Sequence, residues 1–324
     1  MPENLAAPRA APTSEAILRR LEWTVIRKLD GLLQGDYRTL MRGAGLDLAD
    51  LREYQHHDDV LHIDWNVTAR LQIPHVRQFT EDRELTAWFV LDLSGSVDFG
   101  SVDVGGGARS KRTVSAEFVA VLARLLTRHG NRVGALLYGA QVDAVLPARG
   151  GRGHVLELLQ RMRSHVAPKT SSETQLAGLL AAAAKIITRR SMVFVVSDFI
   201  STPGWGDAMA RLALRHEVLA VRLYDPAEMA LPDLGLMTIE DAETGEQLFV
   251  DTQDPGFRER FAAIATQREA DLRAALAHAG VDTLELATDD DLADAVLRFA
   301  EMRRQRSRLA AGGGMPQHLK ELQS

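Results

Sequence analysis

The 324-residue chain contains no cysteine. Disulfides, thiolate zinc sites and a catalytic thiol are therefore excluded, and the composition suits a cytosolic location. Positive charge is not in excess either. With 38 Lys and Arg against 44 Asp and Glu, the formal net charge of -6 provides no general attraction for nucleic acid or acidic membranes. No stretch approaches the ~20 consecutive apolar residues of a membrane span. The N-terminal MPENLAAPRAAPTSEA lacks the apolar core of a signal peptide. The expectation is a soluble, cytoplasmic protein with no direct membrane insertion and no nucleic-acid partner. Apolar residues, by contrast, make up 46% of the chain, enough for a substantial core in one large domain with an elaboration, or in two domains.

Along the chain, residues 1–12 read as a disordered leader with three prolines. Thr13 or Ser14 can cap a helix with Leu18, Leu21, Val25, Leu29 and Leu32 on one face. Short extended pieces rich in charge, His and aromatics follow to about Asp82, so residues 13–82 are expected to form the helix and a small β-rich element. From 83 to 302 the pattern is strand, acidic loop, helix, repeated, as in an α/β sheet. LTAWFVL (Leu85 to Leu91) and SMVFVVSDF (Ser191 to Phe199) are too continuously apolar for half-exposed strands and fit strands buried on both faces. A hairpin near 235–252, with turn residues Glu243, Thr244 and Gly245, is placed to pair with the early β-rich element. The tail, 303–324, is expected to be mobile.

Each of the two buried strands ends in a carboxylate, Asp92 in DLSGS and Asp198 in SDF. In parallel sheets ligands gather at the carboxyl ends of strands. Asp92, Ser94, Ser96, Thr174 at a helix start, and Asp198 together offer two carboxylates and three hydroxyls. That donor set suits a hard divalent cation, Mg²⁺ first, with Mn²⁺ or Ca²⁺ as the other candidates. The plainer alternative is a strand-ending turn with capping Ser and Asp residues.

His56, His57, Asp58, Asp59, His62 and Asp64 are a denser set of potential ligands, but adjacent histidines rarely aim at one metal. They read as a polar turn with Trp65 anchoring a local core, Asp64, Asn66 and Arg70 bracing the element. GGGARSK fails the P-loop pattern because Ser110, not Gly, precedes Lys111; it reads as a connector. No G-x-S-x-G elbow is present, so serine catalysis is not expected.

The order D-x-S-x-S, Thr-x-Leu, then an apolar strand ending in Asp resembles the metal-ion-dependent adhesion site of von Willebrand factor type A domains. HIDWNVTARLQIPHVRQFTEDREL running into FVLDLSGSVDFG resembles, more specifically, the domain-of-unknown-function 58 family. GRGHVLELLQRM and EDAETGEQLFVDT extend that likeness over roughly residues 36 to 300. The resemblance implies a von Willebrand factor A-like, Rossmann-like, mostly parallel sheet with helices on both faces plus the small β-rich element. It also implies hydroxyl donation to a metal by Ser94, Ser96 and Thr174, with Asp92 and Asp198 binding directly or through water and a partner's carboxylate filling the open position. Soluble members of the family are associated with MoxR-type AAA+ ATPases. This chain departs from the family pattern at His56-His57-Asp58, where Pro-Gly-Asp is usual, at Leu61 for Arg, and at Val97 for Met.

Two functions follow. The first is a non-enzymatic, metal-dependent protein-binding adaptor whose partner is a MoxR-type AAA+ ATPase, its client, or both, in protein assembly or maturation. The alternative is a Mg²⁺-dependent hydrolase of phosphate esters, disfavoured because no Lys, His or third carboxylate is tied by motif to the same strand ends.

Overall fold

The computed structural model describes residues 13–29, 50–55, 63–78, 85–99, 109–166, 174–240 and 247–310. It divides into two compact units, one of residues 1–35 and 85–299, the other of 36–84 and 300–324.

The larger unit is built on a six-stranded sheet of β3 (Thr86–Asp92), β4 (Arg132–Tyr138), β5 (Val142–Arg149), β6 (Met192–Ser197), β7 (Glu217–Tyr224) and β10 (Asp282–Ala287). Its order is β10-β7-β6-β3-β4-β5. Every pairing is parallel except β4 with β5 at the edge. This is the mostly parallel α/β sheet expected. Residues of β6 are buried along its whole length, which explains its unbroken apolar run. β5 alternates buried or half-buried with exposed positions and carries Pro147, which an edge strand tolerates because one side of its backbone needs no ladder partner.

Alternation along the central strands splits the core in two. Phe89 of β3 and Phe194 of β6 stack at 5.2 Å on one face, where Phe118 of α3 (Lys111–Arg128) meets Phe194 edge-on at 6.3 Å. On the other, Val90, Val193, Val195 and Ala220 pack against α5 (Leu176–Ile186), α6 (Trp205–Ala213) and the long α7 (Pro255–Ala279). The helix α4 (Arg152–Ser164) packs beside α3.

The first helix, α1 (Ser14–Leu21), is capped by the Thr13 hydroxyl, which accepts from Ala16 N–H at 3.2 Å. A π-helical turn, Glu22–Ile26, continues it. The wider turn shifts the apolar face by one residue, so Ile26, not Val25, joins Leu18, Leu21 and Leu29 in the core. Leu32 lies outside the described residues. β8 (Leu236–Glu240) and β9 (Gln247–Asp251) form an antiparallel hairpin. Its turn lies outside the described residues, and pairing with the early element is not among the strand pairs the described residues form. The final helix, α8 (Leu292–Ala310), buries Leu292, Val296 and Phe299 and runs past Arg303, where the tail was expected to begin.

In the smaller unit, β1 (Asp50–Glu53) pairs antiparallel with β2 (His75–Gln78), and α2 (Trp65–Leu71) lies between them in sequence. Trp65 is 69% exposed and anchors no core, contrary to expectation. It opens a helix instead, and Asp64 is that helix's cap, accepting from Asn66 N–H and Val67 N–H. His56, His57, Asp58, Asp59 and His62 lie outside the described residues, as do the leader and 311–324.

Candidate metal centre

β3 and β6 are neighbours, yet the chain leaves β3 for β4 on one side and leaves β6 for β7 on the other. The crevice where connections diverge is the place at which open α/β sheets bind ligands. Asp92 and Asp198 flank it. Leu91 is in register with Val196, which sets Asp92 level with Ser197.

All five expected residues are buried; hydrogen bonds join Asp92, Ser94 and Ser96, while Asp198 follows the neighbouring strand and Thr174 is tied through its backbone to the loop after Asp198. Asp92 Oδ1 accepts Ser94 N–H at 3.0 Å and its Oδ2 accepts the Ser197 hydroxyl at 2.7 Å. Ser94 Oγ and Ser96 Oγ are 3.1 Å apart. Asp198 Oδ1 accepts Ile200 N–H at 3.0 Å. Thr174 is tied to the same loop, because its carbonyl accepts from the Ser201 hydroxyl at 2.7 Å and from Thr202 N–H at 3.1 Å. Arg112 holds the DLSGS turn from outside, donating to the Leu93 and His165 carbonyls and pairing with Asp98.

Phe199, next to Asp198, has φ +60°, a left-handed conformation that costs a bulky residue on the order of 1 kcal/mol or more. The surroundings impose it: Phe199 N–H donates to Ser197 Oγ at 2.9 Å and its ring packs on Trp205 at 5.1 Å. Ser197 thus couples the loop to Asp92, donating to one and accepting from the other.

Three participants escaped the sequence reading. Ser197 is one. Lys111 and Glu228 are the others: no motif ties them to these strand ends, and the fold brings them there. Lys111 Nζ, fully buried, donates to Asp198 Oδ2 at 2.8 Å and to Glu228 Oε1 at 2.6 Å. Burial pulls the ammonium's pKa down, but the Asp198 and Glu228 charges outweigh it and leave the pKa above its ordinary value. The signal was present: Lys111, Val114 and Phe118 share the i, i+3, i+7 face of α3, which is the buried one. Glu228 had none, since it arrives on a short 3-10 turn, Pro226–Glu228, closed by a capping box with Asp225.

Among the described residues Asp92 has no ammonium of its own. Burial, and then the charge of Asp198, push its carboxyl up to about 6 against an ordinary 3.8, with hydrogen bonds from Ser197 and Ser94 offsetting part of the shift. Among the described residues, when all groups are ionised, three carboxylates and one ammonium leave the cluster with two negative charges uncompensated. A divalent cation would fit that balance and the all-oxygen donor set. The Ser94–Ser96 separation also fits, since adjacent ligands of an octahedral magnesium at ~2.1 Å lie ~3.0 Å apart. Among the described residues no group of three or more His, Cys, Asp or Glu is placed to hold a metal ion, at this edge or elsewhere, so serine and threonine hydroxyls would have to complete the donor set here.

Residues 50–271 match the family described as protein of unknown function DUF58. The chain belongs to the DUF58 family. Its sequence is 37% identical over 293 residues to Rv1480 of Mycobacterium tuberculosis, covering 90% of each chain. It is 33% identical over 161 residues to MAV169 of Mycobacterium avium, covering 49% of this chain and 94% of that protein. Likeness to solved structures is looser. BatB of Bacteroides thetaiotaomicron is 14% identical with a TM-score of 0.43, covering 69% of this chain and 98% of that one. The SpRpn10 VWA domain is 13% identical with a TM-score of 0.33, covering 66% and 94%. This DUF58 chain has, among its described residues, no helix long and apolar enough to cross a membrane.

Proposed function

We propose that this DUF58 protein is a non-enzymatic adaptor that grips another protein through a divalent cation, Mg²⁺ first, with Mn²⁺ or Ca²⁺ as substitutes. The observation that carries the reading is the pair of buried carboxylates, Asp92 and Asp198, at the ends of neighbouring strands at the sheet's switch point, with the Ser197 hydroxyl bonded to Asp92 and the Ser94 and Ser96 hydroxyls in the turn that follows it. A buried like-charge pair is unfavourable in isolation, and a cation relieves it. Asp92, Ser94, Ser96, Thr174 and Asp198 would hold the metal, which supplies an electrophilic position for a partner's acidic side chain. Beside Asp198 a cleft of about 290 Å³, lined by Phe199, Trp205, Tyr224, Glu228 and Leu272, offers an apolar wall for the flanking residues of such a partner. The partner proposed is a MoxR-type AAA+ ATPase, its client, or both, in protein assembly or maturation. That part rests on the family resemblance.

The hydrolase alternative gains a lysine at the strand ends, but as a wholly buried ammonium already held by two carboxylates, not one open to a phosphate. The adaptor reading is tested by pull-down from the native host. Wild type should retain a partner that is lost in EDTA and lost with Asp92→Ala or Ser94→Ala. Undiminished capture under both treatments would sink the mechanism.

A further inference from the structure

Lys111 stands in an unfavourable place. It is the first residue of α3, where the free N–H ends of the helix make the local potential positive, and its side chain is entirely removed from water. Either circumstance disfavours an ammonium; the contacts to Asp198 and Glu228 offset them, with the Phe99 ring centroid 5.7 Å from Nζ. Its backbone is held too, with Lys111 N–H donating to the Phe99 carbonyl at 3.0 Å.

The contact to Asp198 bears directly on the metal site. One Asp198 oxygen takes the ammonium and the other takes Ile200 N–H, so both already carry a hydrogen bond. Asp198 therefore faces any cation with one oxygen shared and its charge partly neutralised. Asp92 is differently placed, since its two oxygens accept from an uncharged backbone N–H and a hydroxyl.

We infer that Lys111 is a resident cation of the metal centre: it holds Asp198 and Glu228 together when no metal is present and competes electrostatically with the metal for Asp198. Two consequences follow. The site keeps its shape without metal, because one of its charges is tethered to the chain. Its affinity for a divalent cation is set below what Asp92 and Asp198 would provide without the ammonium, which suits reversible loading. The inference rests on the reading of Asp92 and Asp198 as metal ligands, and the two are separable by experiment.

The charge balance predicts opposite signs for two variants of the full chain. Lys111→Met removes the competing charge and should tighten Mg²⁺ or Mn²⁺ binding, measured by calorimetry with the metal alone, at least about tenfold. Glu228→Gln leaves Lys111 concentrated on Asp198 and should weaken it by a similar factor. Thermal unfolding gives a second readout. The wild-type midpoint should rise modestly from EDTA to Mg²⁺, whereas the Lys111→Met midpoint should lie below wild type in EDTA and rise by more in Mg²⁺.

Affinity that is unchanged or weaker in Lys111→Met, with Glu228→Gln like wild type, overturns the inference. If wild-type binding is at the same time abolished by Asp92→Ala, the metal site itself stands. Binding by Lys111→Met but not by wild type supports the inference. Binding by neither overturns both readings. Should Lys111→Met fail to fold, Lys111→Gln, whose amide can still bond both carboxylates without the charge, takes its place: tighter binding supports the competition and unchanged or weaker binding overturns it.

Discussion

Replacing Asp92 by Asn changes the charge at the centre of the site while keeping its shape. The carboxyl is wholly buried beside Asp198, and its pKa is raised from 3.8 to about 6. The folded chain therefore holds this proton more tightly than the unfolded chain. Stability from this group is complete below about pH 4 and is lost as pH rises through about 6. Two pH units at about 1.4 kcal/mol each put the loss at about 3 kcal/mol by pH 8. Asn cannot ionise, so the variant escapes it. Its Oδ1 can still accept Ser94 N–H, and its amide can donate to Ser197 Oγ, which has a second lone pair beside the one used by Phe199 N–H. Denaturant unfolding in EDTA at pH 8 should show Asp92→Asn more stable than wild type by about 2–3 kcal/mol, with the gap about halved at pH 5. A variant no more stable at pH 8, or a gap equal at both pH values, would refute the electrostatic account of the site. Magnesium should stabilise wild type and leave the variant unmoved.

Two further predictions concern the scaffold behind the site. Arg222 and Glu269 form a buried pair with contacts of 2.7 and 2.5 Å, so Glu269→Gln strands a guanidinium beside a partly exposed Glu285 and should lower unfolding free energy by about 3 kcal/mol. A loss under about 1 kcal/mol in denaturant titration would mean that Glu285 compensates. Gly134 lies opposite Trp88 on the neighbouring strand, and a Cβ there would come within 2.8 Å of the indole. Gly134→Ala should therefore destabilise by about 1–3 kcal/mol and shift the fluorescence of Trp88; unaltered emission and stability would show that the ring moves aside freely.

The sheet was legible because its strands advertise themselves. Runs such as AWFVL and MVFVV are apolar at every position, which a strand needs only when both faces are covered, and each ends in a carboxylate. Helix starts were legible where capping chemistry is local, as at Thr13, and less so where a π-turn changed the period, which is why Val25 was expected in place of Ile26. Trp65 misled because a large aromatic in a polar stretch reads as an anchor, while the Asp64 before it is the stronger signal and specifies a helix start.

The candidate ligands Asp92, Ser94, Ser96, Thr174 and Asp198 could be named from chain order, although order alone does not separate a metal site from a turn capped by the same hydroxyls and carboxylates. The sequence by itself also limited these candidates to oxygen donors, because the chain has no thiol to offer and none of the five positions is a histidine. Tertiary structure alone decided the charge of that centre. Lys111 lies 87 residues before Asp198 and 117 before Glu228, and no local pattern links them. Only the packing of α3 against the ends of β6 and β7 carries the ammonium into water-free contact with both carboxylates. A Coulomb interaction depends on distance and solvent exclusion, and neither is written along the chain.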